Sequence, residues 1–261
     1  MKLQVVGGGK MGEALLGGVL ESGWASIAEV AVVELSPERC AELADSYPGL
    51  NVGSAIHSGV DAIIAVKPQY VVQVATDLAG ADVRRLLSIA AGVRIETIES
   101  AAPNAAVVRC MPNTPALVGA GASAISGGRH AGADDLGWAE SILGNVGIVI
   151  RVDEQQLDAV TGVSGSGPAY VFHLAEALTA AGVAEGLSAA DADALTRQTL
   201  LGAARLLSET GEDPAVLRQN VTSPGGTTAA GLAVFADEGF TELVGRVVRA
   251  AVARSLELGA E

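Results

Sequence analysis

The chain opens with short apolar runs separated by stretches whose apolar positions recur at helical spacing. Residues 2–6, 29–34, 61–66, 86–90 and 105–110 read as strands, with a last one near 146–150. Between them, 11–22, 37–46 and 69–78 carry the 3.6-residue period of amphipathic helices. Strands and helices alternating at this interval build βαβ units, and hence an α/β fold with a doubly wound parallel sheet. The unbroken run Ile63-Ile64-Ala65-Val66 suits a strand covered on both faces.

From about residue 152 the strand pattern stops. Ala, Leu, Glu and Arg recur at helical spacing through to Leu258, with long amphipathic patterns over 188–208 and 241–256. Gly211, Pro214 and Pro224 punctuate them. The expected division is an α/β domain over 1–151 and an all-helical domain over 152–261. These helices are apolar over much of their circumference, more than so small a bundle could bury alone. They are therefore expected to pack against a second subunit.

Charge narrows the range of partners. Thirty acidic residues against 16 basic ones leave a net charge of −14. That excludes a broad phosphate-backbone footprint, so neither nucleic acid nor an anionic membrane is an expected partner. A small anion remains admissible, because a nest of backbone N–H groups can hold one locally. Cys40 and Cys110 lack C-x-x-C spacing and read as buried free thiols in a reducing cytoplasm. No leader and no apolar run of membrane-spanning length is apparent, so a soluble cytoplasmic protein is expected. His57 and His130 read as solvated, and His173 as packed or at an interface. No residue cluster has metal-ligand spacing, and the few aromatics form no platform for stacked bases.

The first strand runs into Gly7-Gly8-Gly9-Lys10-Met11-Gly12, a G-x-G-x-x-G pattern. Gly7 permits the tight turn, Gly9 lets backbone approach a pyrophosphate, and Gly12 lets the helix pack on the strand. This is the fingerprint of a dinucleotide-binding (Rossmann) domain. Glu34 closes the second strand, 22 residues beyond Gly12. An acid there accepts hydrogen bonds from ribose hydroxyls and repels a 2′-phosphate, although Ser36 or Arg39 could contact a phosphate. Ala65-Val66-Lys67-Pro68 ends another strand, and Lys67 is either a ligand group at the carboxyl edge of the sheet or a solvated loop lysine. Within Arg109-Cys110-Met111-Pro112-Asn113-Thr114-Pro115, Asn113 could hold an amide or a ribose, or simply make a turn. In Ser164-Gly165-Ser166-Gly167-Pro168, glycines on both sides of Ser166 imply close approach to a helix or to a ligand, with Pro168 in the first turn of a new helix. Thr222-Ser223-Pro224-Gly225-Gly226-Thr227-Thr228 opens a further helix. Two glycines and several hydroxyls exceed the needs of capping, and such a turn suits a carboxylate.

Taken together these segments resemble the pyrroline-5-carboxylate reductase family: GGGKMG (7–12), AVKP (65–68), RCMPNTP (109–115), VSGSGPAYVF (163–172) and NVTSPGGTT (220–228) stand in family order. The resemblance covers essentially the whole chain. It implies reduction of 1-pyrroline-5-carboxylate to L-proline with NADPH or NADH, and a homodimer built by exchanging C-terminal helices, often assembled into decamers. It further implies that Gly7, Gly9, Lys10, Met11 and Gly12 hold the pyrophosphate. Ala65, Val66, Lys67, Pro68, Ala91, Asn113 and Asn220 would line the nicotinamide and ribose. The Ser223 hydroxyl and the Gly225-Gly226-Thr227-Thr228 backbone would grip the substrate carboxylate, and the catalytic Thr228 hydroxyl would meet the ring nitrogen. Relatives with a comparable glutamate commonly follow it with an arginine, whereas Leu35 follows Glu34 here. That favours NADH over NADPH. An imine nitrogen is basic enough to arrive protonated, so the chemistry demands no histidine or lysine acid. A 3-hydroxyacid dehydrogenase would need a lysine in the second half, and residues 152–261 have none. The remaining alternatives are a reductase of a related cyclic imino acid, or a catalytically silent NAD(P) sensor, which is expected to have lost the Ser223–Thr228 segment.

Overall fold

The computed structural model describes residues 1–259. All six expected strands form: β1 (Leu3–Val6), β2 (Val30–Val33), β4 (Ala62–Ile64), β5 (Arg85–Ser88), β6 (Ala106–Met111) and β8 (Gly147–Arg151). Two more join them, β3 (Asn51–Gly53) and β7 (Gly121–Gly127). Their sequences, Asn-Val-Gly and Gly-Ala-Ser-Ala-Ile-Ser-Gly, carry too few β-branched or aromatic residues to stand out from loop.

The eight strands lie in the order β3-β2-β1-β4-β5-β6-β7-β8. β1 to β6 are parallel, with Val5 level with Val32 on one side and Ile63 on the other. β7 then pairs antiparallel to β6, and β8 runs parallel to β7. The sheet is therefore mixed, not wholly parallel as expected. A tight 3₁₀ turn over Thr114–Val118 replaces the helical crossover between β6 and β7, and so short a connection permits only an antiparallel return.

α1 (Lys10–Glu21), α2 (Pro37–Ser46), α3 (Val71–Gly80), α4 (Ile95–Ala101) and α5 (Ala133–Leu143) cover the sheet. Because strand side chains alternate, Leu3, Val5, Ile63, Leu87 and Val108 fill one core with Leu15, Leu16 and Ile142. Val6, Ile64, Leu86 and Val107 fill the other with Leu78 and Ile98. The sheet is thus buried on both faces, as a parallel sheet requires. Gln4 is the polar exception in β1, fully buried, and its amide is satisfied by the backbones of His57 and Val60.

The chain divides into two compact units, one of Met1–Ser166 with the residues from Ala250 onward, the other Gly167–Arg249. The sheet ends at Arg151, but the following turns stay with it. Glu154 accepts from Arg109 Nη1 at 2.9 Å and from the Ile95 N–H at 2.7 Å. α6 (Leu157–Val160) buries Leu157 completely, and Asp158 accepts from Ser255 Oγ at 2.6 Å. A π-helical turn over Thr161–Gly165 follows, closed by the Ser166 N–H on the Thr161 carbonyl.

The second unit is helical throughout: α7 (Gly167–Ala184), α8 (Ala189–Thr210), α9 (Pro214–Asn220), α10 (Thr227–Asp237) and the first part of α11 (Phe240–Leu258). α7 and α8 approach closely where Gly182 faces Ala192. Only Ala192 and Thr196 are buried in this unit, while Val171, Phe172, Leu195, Leu201, Val234 and Phe235 are exposed. His173 is exposed as well and pairs with Glu176 at 3.2 Å, so nothing in the protomer packs it. Among the described residues no helix is long and apolar enough to cross a membrane, and no cluster could hold a metal ion.

Candidate active site

The carboxyl ends of β1 and β4 meet where the strand order reverses, which is where open α/β sheets bind ligands. The turn leaving β1 is built for close approach. Gly7 has φ +107°, and a Cβ there would lie 2.6 Å from the Ala65 carbonyl oxygen. A Cβ on Gly12 would collide with the Gly7 carbonyl, so both positions exclude any other residue. Gly9 differs: nothing lies within 4 Å of where its Cβ would stand. That space opens over the N-terminus of α1, whose first intrahelical bond is Glu13 N–H to the Gly9 carbonyl at 2.9 Å. The N–H groups of Lys10, Met11 and Gly12 therefore lack intrahelical partners, and no side chain caps them. Open space before unpaired N–H groups and a positive helix end fits a pyrophosphate.

Glu34 leaves β2 and folds back onto backbone. It accepts from Gly8 N–H at 2.9 Å, Leu35 N–H at 2.7 Å and Ser36 N–H at 2.9 Å. Partial burial pushes its pKa up, but these three donors and the Arg39 charge outweigh that and hold the carboxyl below the usual carboxylate range. Ser36 caps α2, accepting from Arg39 N–H. The Arg39 guanidinium is occupied: Nε donates to the Gly8 carbonyl at 2.6 Å, Nη1 to Glu42 at 2.7 Å, and Nη2 to Glu13.

Two clefts flank the glycine turn. One of about 720 Å³ has Glu34, Leu35, Ser36, Ile56, Tyr70 and Val74 in its wall. The other, about 380 Å³, is walled by Lys10, Met11, Pro68, Ala91, Met111, Asn113 and Gly165. Gly9, Ala65, Val66 and Lys67 line both, so the clefts adjoin along the edge of the sheet. Gly7, Gly9, Lys10, Met11, Glu34, Ser36, Ala65, Val66, Lys67, Pro68, Ala91 and Asn113 are thus gathered at one place, with Gly12 directly behind. Lys10 and Lys67 are exposed and form no ion pair among the described residues, which supplies positive charge to an acidic molecule at this point.

Asn113 is more than a lining residue. Its Nδ2 donates to the Ser164 carbonyl at 3.1 Å and its Oδ1 accepts from Ala122 N–H at 2.8 Å. The amide braces the π-helical turn against β7, and Gly165 of that turn lies against Met111. Sequence reasoning assigned no part to Met111, Tyr70 or Ile56. Met111 stood within a quoted motif, but apolar wall residues have no signature of their own. Cys110, behind this wall, is buried, and burial pushes its thiol up to about 12 despite a hydrogen bond with Ser123. Cys40 is only half-buried, contrary to expectation, because α2 presents it to the Glu34 carbonyl, 3.4 Å from its sulfur, at the rim of the domain.

Asn220 and Ser223–Thr228 belong to the second unit. Gly225 takes φ +69°, and the Gly226 N–H closes the turn on the Ser223 carbonyl at 3.0 Å. α10 starts with Gly226 as its N-cap and no side-chain cap, where hydroxyl capping was expected. Glycine fills the cap because the turn that Gly225 makes brings backbone to that position. Thr222 donates backwards to the Arg218 carbonyl at 2.6 Å. The Ser223, Thr227 and Thr228 hydroxyls take no protein partner among the described residues, and the first N–H groups of α10 lack intrahelical partners.

A glycine cradle at a switch point, with an acid ending the next strand, defines the first unit as a dinucleotide-binding domain of the Rossmann class. Comparison with known proteins agrees and goes further. Residues 2–92 match the family described as NADP oxidoreductase coenzyme F420-dependent, and 154–258 the one described as pyrroline-5-carboxylate reductase dimerisation. The chain is 43% identical to the pyrroline-5-carboxylate reductase of Synechocystis, over 99% of this chain and 98% of that one. Its structure matches a pyrroline-5-carboxylate reductase from Coxiella burnetii with a TM-score of 0.93 and 34% identity, covering 98% of each chain. It also matches the Plasmodium falciparum pyrroline carboxylate reductase with NADP bound, with a TM-score of 0.84 and 29% identity, over 99% of this chain and 98% of that one. The chain belongs to the pyrroline-5-carboxylate reductase family and is an oxidoreductase.

Proposed function

We propose that this protein reduces 1-pyrroline-5-carboxylate to L-proline, with NADH as its preferred reductant. The observation that carries the reading is the pairing, in one chain, of the open Gly9 cradle with the unpaired N–H groups and hydroxyls of Ser223–Thr228. Likeness to reductases of this name along the full length supports it.

A nicotinamide coenzyme supplies a hydride to the imine carbon. The chain positions the imine, which arrives protonated at its ring nitrogen. The N-terminus of α1 would hold the pyrophosphate over Gly9, Glu34 would take the adenosine ribose, and the cleft walled by Ala65, Val66, Lys67, Pro68, Ala91 and Asn113 would take the nicotinamide half; Asn220 would be a further coenzyme contact. The N–H groups of Thr227 and Thr228, presented by Gly225 and Gly226, and the Ser223 hydroxyl grip the substrate carboxylate. The Thr228 hydroxyl faces the ring nitrogen, which becomes the amine of proline as the C=N bond is reduced. Because the imine is basic, positioning carries most of the rate and a hydroxyl suffices.

NADH is favoured because an ionised Glu34 repels a 2′-phosphate and no cation follows it at Leu35. The Plasmodium relative holds NADP, so the family scaffold itself admits the phosphate and the choice lies in these side chains. The second unit, with the rest of residues 152–261, joins two protomers into a homodimer, and such dimers can assemble into a decamer. Two unpaired thiols suit a reducing cytoplasm.

Steady-state reduction of pyrroline-5-carboxylate, run in parallel with NADH and NADPH, tests the reading. The expected outcome is saturable oxidation of NADH that requires the imino acid, with kcat/KM several-fold above that for NADPH. A clear NADPH preference would overturn the Glu34 argument and keep the reaction. Absence of turnover with either coenzyme, although both bind, would overturn the reaction.

A further inference from the structure

Arg39 lies on α2, three residues past Ser36, and its guanidinium is held by groups outside the cleft. Its backbone N–H is on Ser36 Oγ and its Nε is on the Gly8 carbonyl, while the Gly8 N–H is on Glu34, so the guanidinium lies directly behind the Glu34 and Ser36 wall of the cleft. An arginine near the end of β2 is the usual receptor for a 2′-phosphate, because its planar fork matches phosphate oxygens. Here two acids from two helices hold it. Glu13 lies in the first turn of α1, and Glu42 lies three residues beyond Arg39 on α2. The Gly8 carbonyl accepts from Nε at 2.6 Å and fixes the plane of the fork. The Arg39 side chain is 24% exposed and that of Glu13 28%, so solvent screens this pair less than it screens a surface ion pair. With Glu34, the three carboxylates outnumber the single guanidinium by two charges.

We propose that Glu13 and Glu42 lock Arg39 away from the coenzyme, and that this lock, together with Glu34, sets the preference for a coenzyme without a 2′-phosphate. Glu34 supplies repulsion, and the lock withholds a neighbouring cation that would offset it. The inference rests on the NADH reading above and adds to it the residues Glu13, Glu42 and Arg39. None of the three is needed to hold the pyrophosphate or the nicotinamide, so the lock acts on the choice of coenzyme and not on the reaction.

The test uses adenosine 2′,5′-bisphosphate and 5′-AMP, which differ only in the 2′-phosphate, so any general loosening of the glycine turn cancels in the ratio of their Kd values. Four full-length proteins are compared by calorimetry: wild type, Glu34→Gln, Glu34→Gln with Glu13→Gln and Glu42→Gln, and that triple variant with Arg39→Leu added. Unlocking is expected to shift the ratio about tenfold towards the bisphosphate relative to Glu34→Gln alone, as one charge-assisted phosphate contact would. Arg39→Leu is expected to abolish that gain. The ratio of kcat/KM for NADPH over NADH should move in step. No gain on unlocking, or a gain that survives Arg39→Leu, overturns the lock while the NADH reading stands. If the acid-to-amide triple variant fails to fold, Glu13→Gln in the Glu34→Gln background carries the same comparison with a smaller expected gain. If wild type binds neither adenosine ligand, the coenzyme reading falls and takes the lock with it.

Discussion

A threonine hydroxyl is a feeble acid, and its usefulness in Thr228 depends on what surrounds it. The residue occupies the second position of α10, its hydroxyl has no protein partner among the described residues, and no side chain caps the helix start beside it. Removing the hydroxyl would take one hydrogen bond from the developing amine and leave the pyrophosphate cradle, in the other unit, untouched. Thr228→Ala is expected to lower kcat/KM at least about tenfold, roughly 1.4 kcal/mol of transition-state binding, with little change in the Kd for NADH. Steady-state kinetics beside a coenzyme titration checks this, and unchanged turnover would remove Thr228 from the mechanism. At this scale the sequence was most legible where chemistry restricts the residue type. Gly7 and Gly12 had to be glycine, and the structure gives the reason in the carbonyls they touch. Glu34 was legible from its place at a strand end. Its three backbone donors were not, because they depend on how the loop after it turns.

At the scale of elements, the 3.6-residue and two-residue periods located most helices and strands to within a few residues, and α2 matched the expected span, 37–46. β3 and β7 escaped because tertiary pairing, not local preference, makes Asn-Val-Gly and the mostly small residues of Gly121–Gly127 extended. The same holds for Asn113, whose motif left a turn and a ligand contact equally open. Its amide ties Ser164 to Ala122, so truncation would take this partner from a half-buried carbonyl and a half-buried N–H. Asn113→Ala is therefore expected to lower unfolding stability by about 2 kcal/mol, seen as a lower Tm in the coenzyme-free protein. Weakened NADH binding at unchanged Tm would instead make coenzyme contact the whole of its role. The division between elements is also physical. The strand pattern ends at Arg151, but Glu154, Leu157 and Asp158 continue to find partners on the sheet side of the chain.

At the scale of the molecule, the second unit has helices of 18 and 22 residues and almost no interior. Val171, Phe172, Leu174 and Leu178 are all exposed along α7, an apolar face that a lone soluble chain rarely presents. Residues 154–258 match a family described as pyrroline-5-carboxylate reductase dimerisation, which accords with an exposed face that oligomerisation would cover. Light scattering at micromolar concentration is expected to give a mass of at least two chains. A monodisperse monomer would refute this and leave the apolar face unexplained.

The amino-acid sequence by itself determined the α/β-then-helical layout, the glycine cradle, the acid at the end of β2 and the glycine-rich turn before α10, because each is written in local spacing that any fold must respect. Tertiary structure alone decided the reversal of β7 and β8, the brace made by Asn113, and the capture of Arg39 by Glu13 and Glu42. These depend on groups 26 to 51 residues apart, or on a strand pairing that no local propensity encodes, and such contacts exist only after the chain has closed on itself.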